Sequence, residues 1–376
     1  MKKGILLSIL LALALVISAC GESAEEKAAK TPQGKFIQTL KDGRNVSDKT
    51  TYTTTMGVTD IQIPTDNSSA QMVGILKDIK LSVTTSTDKK AKKTETKANI
   101  KSTNNMLPFS MDLDVISDLE SGNSYIPLKS IVKPDASLLS FLDQATGGMW
   151  SQIDTKMPTL KDKYISTEEL ASLAENGTGT NATVDDKALE DASNDLNEKV
   201  TKLVEDYFKG LEKDRFKEKE DGTITVSLKK DDIANLMTEF TKLMDEDKVK
   251  ADFKIILENQ GSGQVVDFDS QYSKMKTSFA TAIEQLKENK NLAINFDISV
   301  EPGKDKSLKA MTFNATVTDK SNENAPMSIS FKLETKAEKF VPVADFPSKE
   351  QILSKEELTL IISDFAKQMY LYSGAY

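Results

Sequence analysis

Pairs of carboxylates are the side chains in this sequence whose spacing could support catalysis. Three pairs stand out, namely Asp112 and Asp114, Asp267 and Asp269, and Asp231 and Asp232. Two carboxylates can act as acid and base in glycoside hydrolysis. However, an acidic pair directly before a helical pattern, as at Asp231, is typical of N-terminal capping. Asp112 and Asp114 lie on the polar side of an alternating segment. We therefore predict that none of these pairs is catalytic.

Other catalytic and metal-binding chemistries lack the residues that they need. The chain of 376 residues contains no histidine and one cysteine, which excludes Ser-His-Asp and Cys-His catalysis and histidine metal sites. The acidic run 245–247 lacks the spacing and the glycine of a calcium loop, and the glycine-rich run 176–181, NGTGTN, lacks the lysine of a phosphate loop. We expect a protein that is not an enzyme and has no metal and no cofactor.

The charge balance argues against a nucleic-acid partner. The formal net charge is -9, and Arg44 and Arg215 are the only arginines among 49 basic residues. Phosphate binding depends on clustered basic side chains, and base recognition relies heavily on arginine. The sequence therefore predicts no nucleic-acid binding, while a protein partner is neither indicated nor excluded.

The N-terminal segment predicts export and lipid anchoring. Lys2 and Lys3 precede an apolar run over 4–19, and Ile17-Ser18-Ala19 leads directly to Cys20, the sole cysteine. This order resembles the lipobox of bacterial lipoproteins, which implies a signal peptide over 1–19 and a diacylglyceryl group on Cys20. The lysine-rich composition resembles that of Gram-positive lipoproteins, which implies anchoring at the extracytoplasmic face of the cell membrane. Residues 20–35 are predicted to form the lipidated cysteine and a flexible tether.

Two regions alternate with the period of a strand. Apolar and polar residues alternate over 79–84 and 109–115, and again over 294–300, 311–317 and 327–333. Each region predicts an antiparallel meander of three strands. An internal repeat would explain the similarity between the two regions, but any meander with one solvent-exposed face would also alternate in this way.

Helical patterns lie between and after these meanders. Two capping boxes, at Ser166–Glu169 and Ser354–Glu357, and amphipathic patterns over 189–211, 233–243 and 272–286 predict helices that cover the sheets. The predicted fold class is α+β, with curved antiparallel sheets. The expected parts are a β-rich half over 36–175, a linker and long helix over 176–222, and an α+β half over 223–376.

The most suggestive surface is the apolar side of the predicted sheets. Its candidate binding residues are Phe109, Met111, Leu113, Phe296, Met311, Phe313, Met327 and Phe331, with Met106 and Ile329 beside them. Methionine and phenylalanine form a pliable lining for variable apolar ligands. Trp150 could line a pocket or lie in the core. The strand and helix order over 49–340 faintly resembles LolA and LppX-like lipoproteins, which implies a sheet that holds acyl chains under helices.

These observations lead to a ranked set of functions. The first is a membrane-anchored binding module for a lipid or other amphiphile. The alternative is an envelope interaction or scaffolding lipoprotein with a solid core and no small ligand. A solute receptor of a transporter ranks lower, because such receptors alternate strands and helices whereas the strands here come in blocks.

Overall fold

The computed structural model describes most of the chain after the N-terminal segment. The described residues are 31–42, 47–63, 67–105, 108–129, 136–146, 158–175, 186–259, 267–303, 308–322 and 326–373. Over these residues the chain is a mixed α+β protein whose strands form an antiparallel sheet that is not closed, which confirms the predicted fold class. None of the helices in these ranges is long and apolar enough to cross a membrane.

The helices in the described part of the chain are α1 (Pro32–Asp42), α2 (Asn67–Asp78), α3 (Ala136–Thr146), α4 (Thr167–Glu175), α5 (Asp186–Gly210), α6 (Lys230–Leu243), α7 (Asp247–Asn259), α8 (Phe268–Glu288) and α9 (Lys355–Ser373). Both predicted capping boxes begin helices. Ser166 accepts a hydrogen bond from the backbone N–H of Glu169 at 3.1 Å before α4. Ser354 and Glu357 accept from each other's backbone N–H at 3.2 and 2.8 Å before α9.

The strands are β1 (Lys49–Gln62), β2 (Ile79–Asp88), β3 (Lys93–Ser102), β4 (Phe109–Asp118), β5 (Ser124–Pro127), β6 (Tyr164–Ser166), β7 (Phe216–Glu218), β8 (Ile224–Lys229), β9 (Leu292–Pro302), β10 (Leu308–Asp319) and β11 (Met327–Glu338). The predicted meanders correspond to β2-β3-β4 and β9-β10-β11. Each runs antiparallel through consecutive strands, as expected.

The chain divides into two compact units. The first unit comprises Met1–Val46, Thr59–Pro64 and Ala182–Glu334, and the second comprises Ser47–Val58, Thr65–Asn181 and Thr335–Tyr376. The first unit has the strand order β11-β10-β9-β8-β7, and the second has the order β6-β5-β4-β3-β2-β1. Each unit is therefore assembled from segments that are distant in the sequence.

The first unit has a large apolar core. Alternate residues of β8 and β9 are buried, and the register aligns Val226 with Ile298 and Ile298 with Phe313 on one side of the sheet. Val200 and Phe208 of α5 are buried in the same core, as their helical spacing predicts. Full burial of a side chain of this size stabilises a fold by about 1.5–3 kcal/mol, so this core holds the unit together without a disulfide.

Helix α1 changes one predicted boundary. Residues 20–30 of the predicted tether lie outside the described residues, but residues 32–35 form the first turn of α1. Phe36 of α1 is completely buried in the core. The Gln33 side-chain amide donates to the backbone oxygens of Phe208 at 2.8 Å and Leu211 at 2.9 Å, at the end of α5. The tether therefore cannot extend to residue 35, because Gln33 caps helix carbonyls that would otherwise lack partners.

The second unit has a smaller core and more polar sheet faces. Its buried apolar cluster comprises Leu128, Leu353 and Leu358. An irregular segment, residues 339–353 (here called the strap), joins β11 to α9 and lies across the sheet. Its backbone donates from Val341 to the Thr51 hydroxyl at 2.9 Å and from Ala344 to the Glu95 carboxylate at 3.2 Å. The buried Glu95 thus accepts hydrogen bonds from a segment about 250 residues later in the chain.

Candidate binding face

The register of β1–β4 sorts the residues of the second unit onto two faces. Met56 lies opposite Leu81, Leu81 opposite Ile100, and Ile100 opposite Met111, which makes one cross-strand row. The next row on that side contains Thr54, Val83, Ala98 and Leu113. Because successive strand residues point to opposite sides, the neighbouring rows belong to the other face.

Within the paired segments of β1–β4, one of these faces carries no charged residue. This surface, here called the uncharged face, comprises Thr50, Tyr52, Thr54 and Met56 of β1; Ile79, Leu81, Val83, Thr85 and Thr87 of β2; Thr94, Thr96, Ala98, Ile100 and Ser102 of β3; and Phe109, Met111, Leu113, Val115 and Ser117 of β4. It is apolar at the end near Phe109 and hydroxyl-rich at the end near Ser117. Every charged residue of the paired segments of β1–β4 lies on the opposite side, the charged face.

Several apolar side chains on the uncharged face are accessible. Met56 is 38% exposed, and Met111 and Leu113 are both 37% exposed. Helix α2 contacts β2 and β3, and helix α3 contacts β4. Leu81 and Ile100, in the middle of the row that Met56 and Met111 end, are half-buried, so this row is only partly covered. An apolar surface that stays partly open is available for interaction.

The corresponding meander in the first unit is closed. Phe296 and Phe313 are each 4% exposed, and their rings stack with centroids 5.8 Å apart. Met311 is buried in the same core, while Met327 and Phe331 on β11 are half-buried. The predicted binding residues Phe296, Met311 and Phe313 therefore pack inside the first unit. They are not part of the accessible surface.

Three other predicted binding residues lie together on the uncharged face. Phe109, Met111 and Leu113 follow one another on that side of β4. The sequence predicted that helices cover this side of the sheet, but Met111 and Leu113 are both more than one-third exposed. Sequence reasoning missed Met56 and Ile100 as members of the same surface, because only the strand register shows that they share rows with Met111. Met106 and Trp150 lie outside the described residues.

The hydroxyl-rich end of the uncharged face contains paired threonines. The Thr85 and Thr96 hydroxyls are hydrogen-bonded at 3.3 Å, and those of Thr87 and Thr94 at 3.1 Å. Thr94 also donates to the backbone oxygen of Ser86 at 3.1 Å. These side chains are half-buried and have no formal charge.

The charged face is occupied by internal contacts. Asp112 accepts from Asn99 at 2.7 Å, and Asp114 pairs with Lys129 at 2.9 Å. The two aspartates of this candidate carboxylate pair therefore have structural partners. The strap adds further contacts on this side of the sheet, at Thr51 and Glu95.

The lysine-rich turn between β2 and β3 is also ion-paired. Lys90 lies 2.8 Å from Asp48, and Lys92 lies 2.6 Å from Glu120. The hydrogen bond and the charge of Lys90 lower the pKa of the Asp48 carboxyl. This turn is therefore a mixed-charge surface rather than a basic patch.

The other candidate carboxylates have structural roles. Asp232 accepts from the backbone N–H of Lys229 at 2.7 Å at the start of α6, which confirms its predicted capping role. Asp267 caps α8 by accepting from Ser270 at 3.2 Å. Asp269 pairs with Lys250 at 2.7 Å, and that hydrogen bond lowers its pKa.

A carboxyl pair between α5 and α7, the buried Asp252 and the half-buried Asp195, was not predicted. Burial raises the pKa of Asp252, and a hydrogen bond with Asp195 raises it further. For Asp195, burial opposes ionisation, but the hydrogen bond to Lys248 leaves its pKa lowered overall. No group of three or more metal-ligating side chains occurs among the described residues. The pair was missed because its members are far apart in sequence and only helix packing brings them together.

Comparison of the chain with protein-family models, with curated proteins and with solved structures gives no match.

Proposed function

We propose that this chain is an exported lipoprotein, anchored to the cell membrane through a diacylglyceryl group on Cys20, whose uncharged face binds a lipid or another amphiphile. It acts as a binding module without catalytic chemistry or a cofactor, on the extracytoplasmic side of the membrane. The first unit provides a solid scaffold, and the second unit provides the binding surface.

The accessible apolar row on β1–β4 carries this proposal. Met56, Met111 and Leu113 stay more than one-third exposed, whereas Phe296 and Phe313 in the first unit are almost completely buried. Four strands about 4.8 Å apart make the apolar end roughly 14 Å wide. Each methylene of an acyl chain that covers this surface contributes about 0.8 kcal/mol. An acyl chain that leaves water to cover these rows therefore gains free energy.

The proposed anchor supports the same function. A diacyl anchor on Cys20 keeps the binding module beside a membrane, where amphiphiles are concentrated. The uncharged face itself offers apolar contact and hydrogen bonding as its means of recognition.

The alternative function is an interaction or scaffolding lipoprotein without a small ligand. In that case the exposed apolar row would belong to a protein interface, and the chain would take up no lipid. The lysine-rich turn gives this alternative little support, since Lys90 and Lys92 already pair with acidic neighbours.

Lipid uptake from vesicles tests the proposal. Residues 21–376 retain every residue that the structure describes, so this soluble chain is incubated with vesicles that contain a pyrene-labelled diacylglycerol. Met111→Trp places a large ring on the uncharged face, and we expect it to reduce uptake at least tenfold while the chain stays folded.

The matched control is Ser110→Trp. Ser110 is the preceding residue on β4, and its hydroxyl on the charged face accepts a hydrogen bond from Asn99 at 3.0 Å. We expect this variant to retain uptake. If the unmodified chain takes up no probe, or if both variants lose uptake equally, the interaction-module function replaces the proposed one.

A further inference from the structure

We propose that the amphiphile bound on the uncharged face has an uncharged, hydroxyl-bearing head, such as the neutral sugar of a glycosylated diacylglycerol. This inference rests on the proposed function, and it specifies the chemical class of the ligand. Its basis is the order of side chains along the strands and the hydrogen-bonding capacity of the threonine pairs.

The uncharged face has a polarity gradient along the strands. On β4 it proceeds from Phe109 and Met111 through Leu113 to Val115 and Ser117. At about 3.4 Å per residue, the distance from Met111 to Ser117 is roughly 20 Å. An extended amphiphile that lies along the strands would therefore place its chain on the apolar rows and its head on the hydroxyl rows.

The charge distribution disfavours an ionised head. No lysine or arginine lies among the residues of the uncharged face. The lysines of β3 point to the charged face, where Lys97 pairs with Glu95 at 3.1 Å and Lys93 with Asp345 at 2.9 Å. Beyond Thr87 and Thr94 lies the lysine-rich turn, where Lys90 and Lys92 already pair with Asp48 and Glu120. A phosphate or carboxylate on the uncharged face would therefore lose hydration and would have to compete with these carboxylates for a counter-charge.

Hydrogen-bond donors and acceptors point to the same class of head. A threonine hydroxyl has one donor and two acceptor positions. The Thr94 hydroxyl donates its proton to the backbone oxygen of Ser86, so the Thr87 hydroxyl must be the donor in the Thr87–Thr94 pair. The O–H donors of both threonines are therefore used. Both hydroxyls retain acceptor capacity.

The Thr85–Thr96 pair uses one of its two donors within the pair. The threonine rows therefore offer more acceptors than donors. A sugar or glycerol head brings several O–H donors to such a surface, whereas phosphate and carboxylate oxygens bring only acceptors. The surplus of acceptors thus favours a hydroxyl-bearing head.

A comparison of lipids that differ only in the head tests this inference. Residues 21–376 are incubated with vesicles that contain pyrene-labelled glucosyl-diacylglycerol or phosphatidic acid with identical acyl chains. We expect at least a tenfold preference for the glucosyl lipid. Equal uptake, or a preference for phosphatidic acid, would overturn the inference about the head and leave the proposed function standing. If neither lipid nor diacylglycerol is taken up, the proposed function itself fails.

Two sets of variants connect the preference to the threonine rows. The double variant Thr85→Val and Thr96→Val removes a hydroxyl pair with little change in shape, and we expect it to lose most of the preference while retaining uptake of diacylglycerol. The matched control is Thr53→Val with Thr84→Val, a pair hydrogen-bonded at 3.0 Å on the charged face, which should keep the preference. An unchanged preference in the first double variant would contradict the assignment.

Thr96→Lys, which adds a cation to the face, should shift the preference toward phosphatidic acid by at least tenfold.

Discussion

Met111 lies directly opposite Ile100 across β4 and β3, and its side chain is 37% exposed although its neighbours in the row are apolar. In the first unit, the paired Phe313 and Ile298 occupy a similar central position between β10 and β9, and both are almost completely buried. The same alternating pattern therefore produces a closed core in one unit and an accessible surface in the other.

The first prediction concerns the anchor. Replacing Cys20 with Ala should abolish incorporation of a labelled fatty acid and leave the protein unprocessed or released from the cells, because no other cysteine can receive the diacylglyceryl group. Metabolic labelling followed by cell fractionation measures both effects. Normal labelling of the variant would rule out Cys20 as the site of lipidation.

The second prediction contrasts the two meanders. Phe313→Ala should reduce the free energy of unfolding by about 3–5 kcal/mol, because it leaves a cavity in a closed core. Leu113→Ala should cost roughly 1 kcal/mol or less, because this side chain already contacts solvent. Urea denaturation of both variants gives the comparison. Equal losses would show that the uncharged face is packed as tightly as the core of the first unit.

The third prediction concerns the strap. Thr51→Val removes the oxygen that accepts from the backbone N–H of Val341, and a hydrogen bond of this kind contributes about 0.5–1.5 kcal/mol. We expect faster amide hydrogen exchange over residues 340–346. Thr55→Val, at an exposed position on the charged face, serves as the control and should leave exchange in the strap unchanged. Unchanged exchange in Thr51→Val would mean that this hydrogen bond does not hold the strap.

The fourth prediction concerns pH. Burial raises the pKa of Asp252 in the folded protein. The contribution of its protonated form to stability is therefore fully present below the ordinary aspartate pKa. That contribution is lost as the pH rises through the raised pKa. Asp252→Asn should therefore gain stability relative to the unmodified chain as the pH rises from acid to neutral. Thermal unfolding across this range measures the difference.

Asp269, an exposed aspartate, provides a control whose stability should change with pH in the opposite direction. The hydrogen bond from Lys250 lowers the pKa of Asp269, so its stabilising contribution is present above the ordinary aspartate pKa and is lost as the pH falls through the lowered value. Asp269→Asn should therefore be less stable than the unmodified chain at neutral pH and equal to it in strong acid. The same pH trend in Asp252→Asn and Asp269→Asn would contradict the assignment for Asp252.

Much of the local structure follows from sequence patterns. The capping box at Ser354, the helical spacing of Val200 and Val204, and the alternation along β4 and β9 all correspond to observed elements. These signals are reliable because they depend on residues that are close in the chain. Other elements, such as α1 and α7, were missed because their apolar stripes are short. The cap of α1 was overlooked, although Thr31 accepts from the backbone N–H of Gly34 at 3.1 Å.

The candidate site could be predicted only in part. Alternation placed Phe109, Met111 and Leu113 on one side of a strand, and it also separated them from Asp112 and Asp114. It could not show that Phe296 and Phe313 lie in a closed core, because the buried residues that close this core come from distant segments such as α1, α5 and α8.

The sequence alone therefore establishes which residues of a strand share a face, because the side-chain period of two is a local property of an extended backbone. It also establishes that the chain has no histidine and that its sole cysteine follows an apolar run. The tertiary structure decides which strand rows meet and which face is covered. Both outcomes depend on contacts between distant segments, as when the strap reaches Glu95 from about 250 residues away and leaves Met111 accessible on the other side of the sheet.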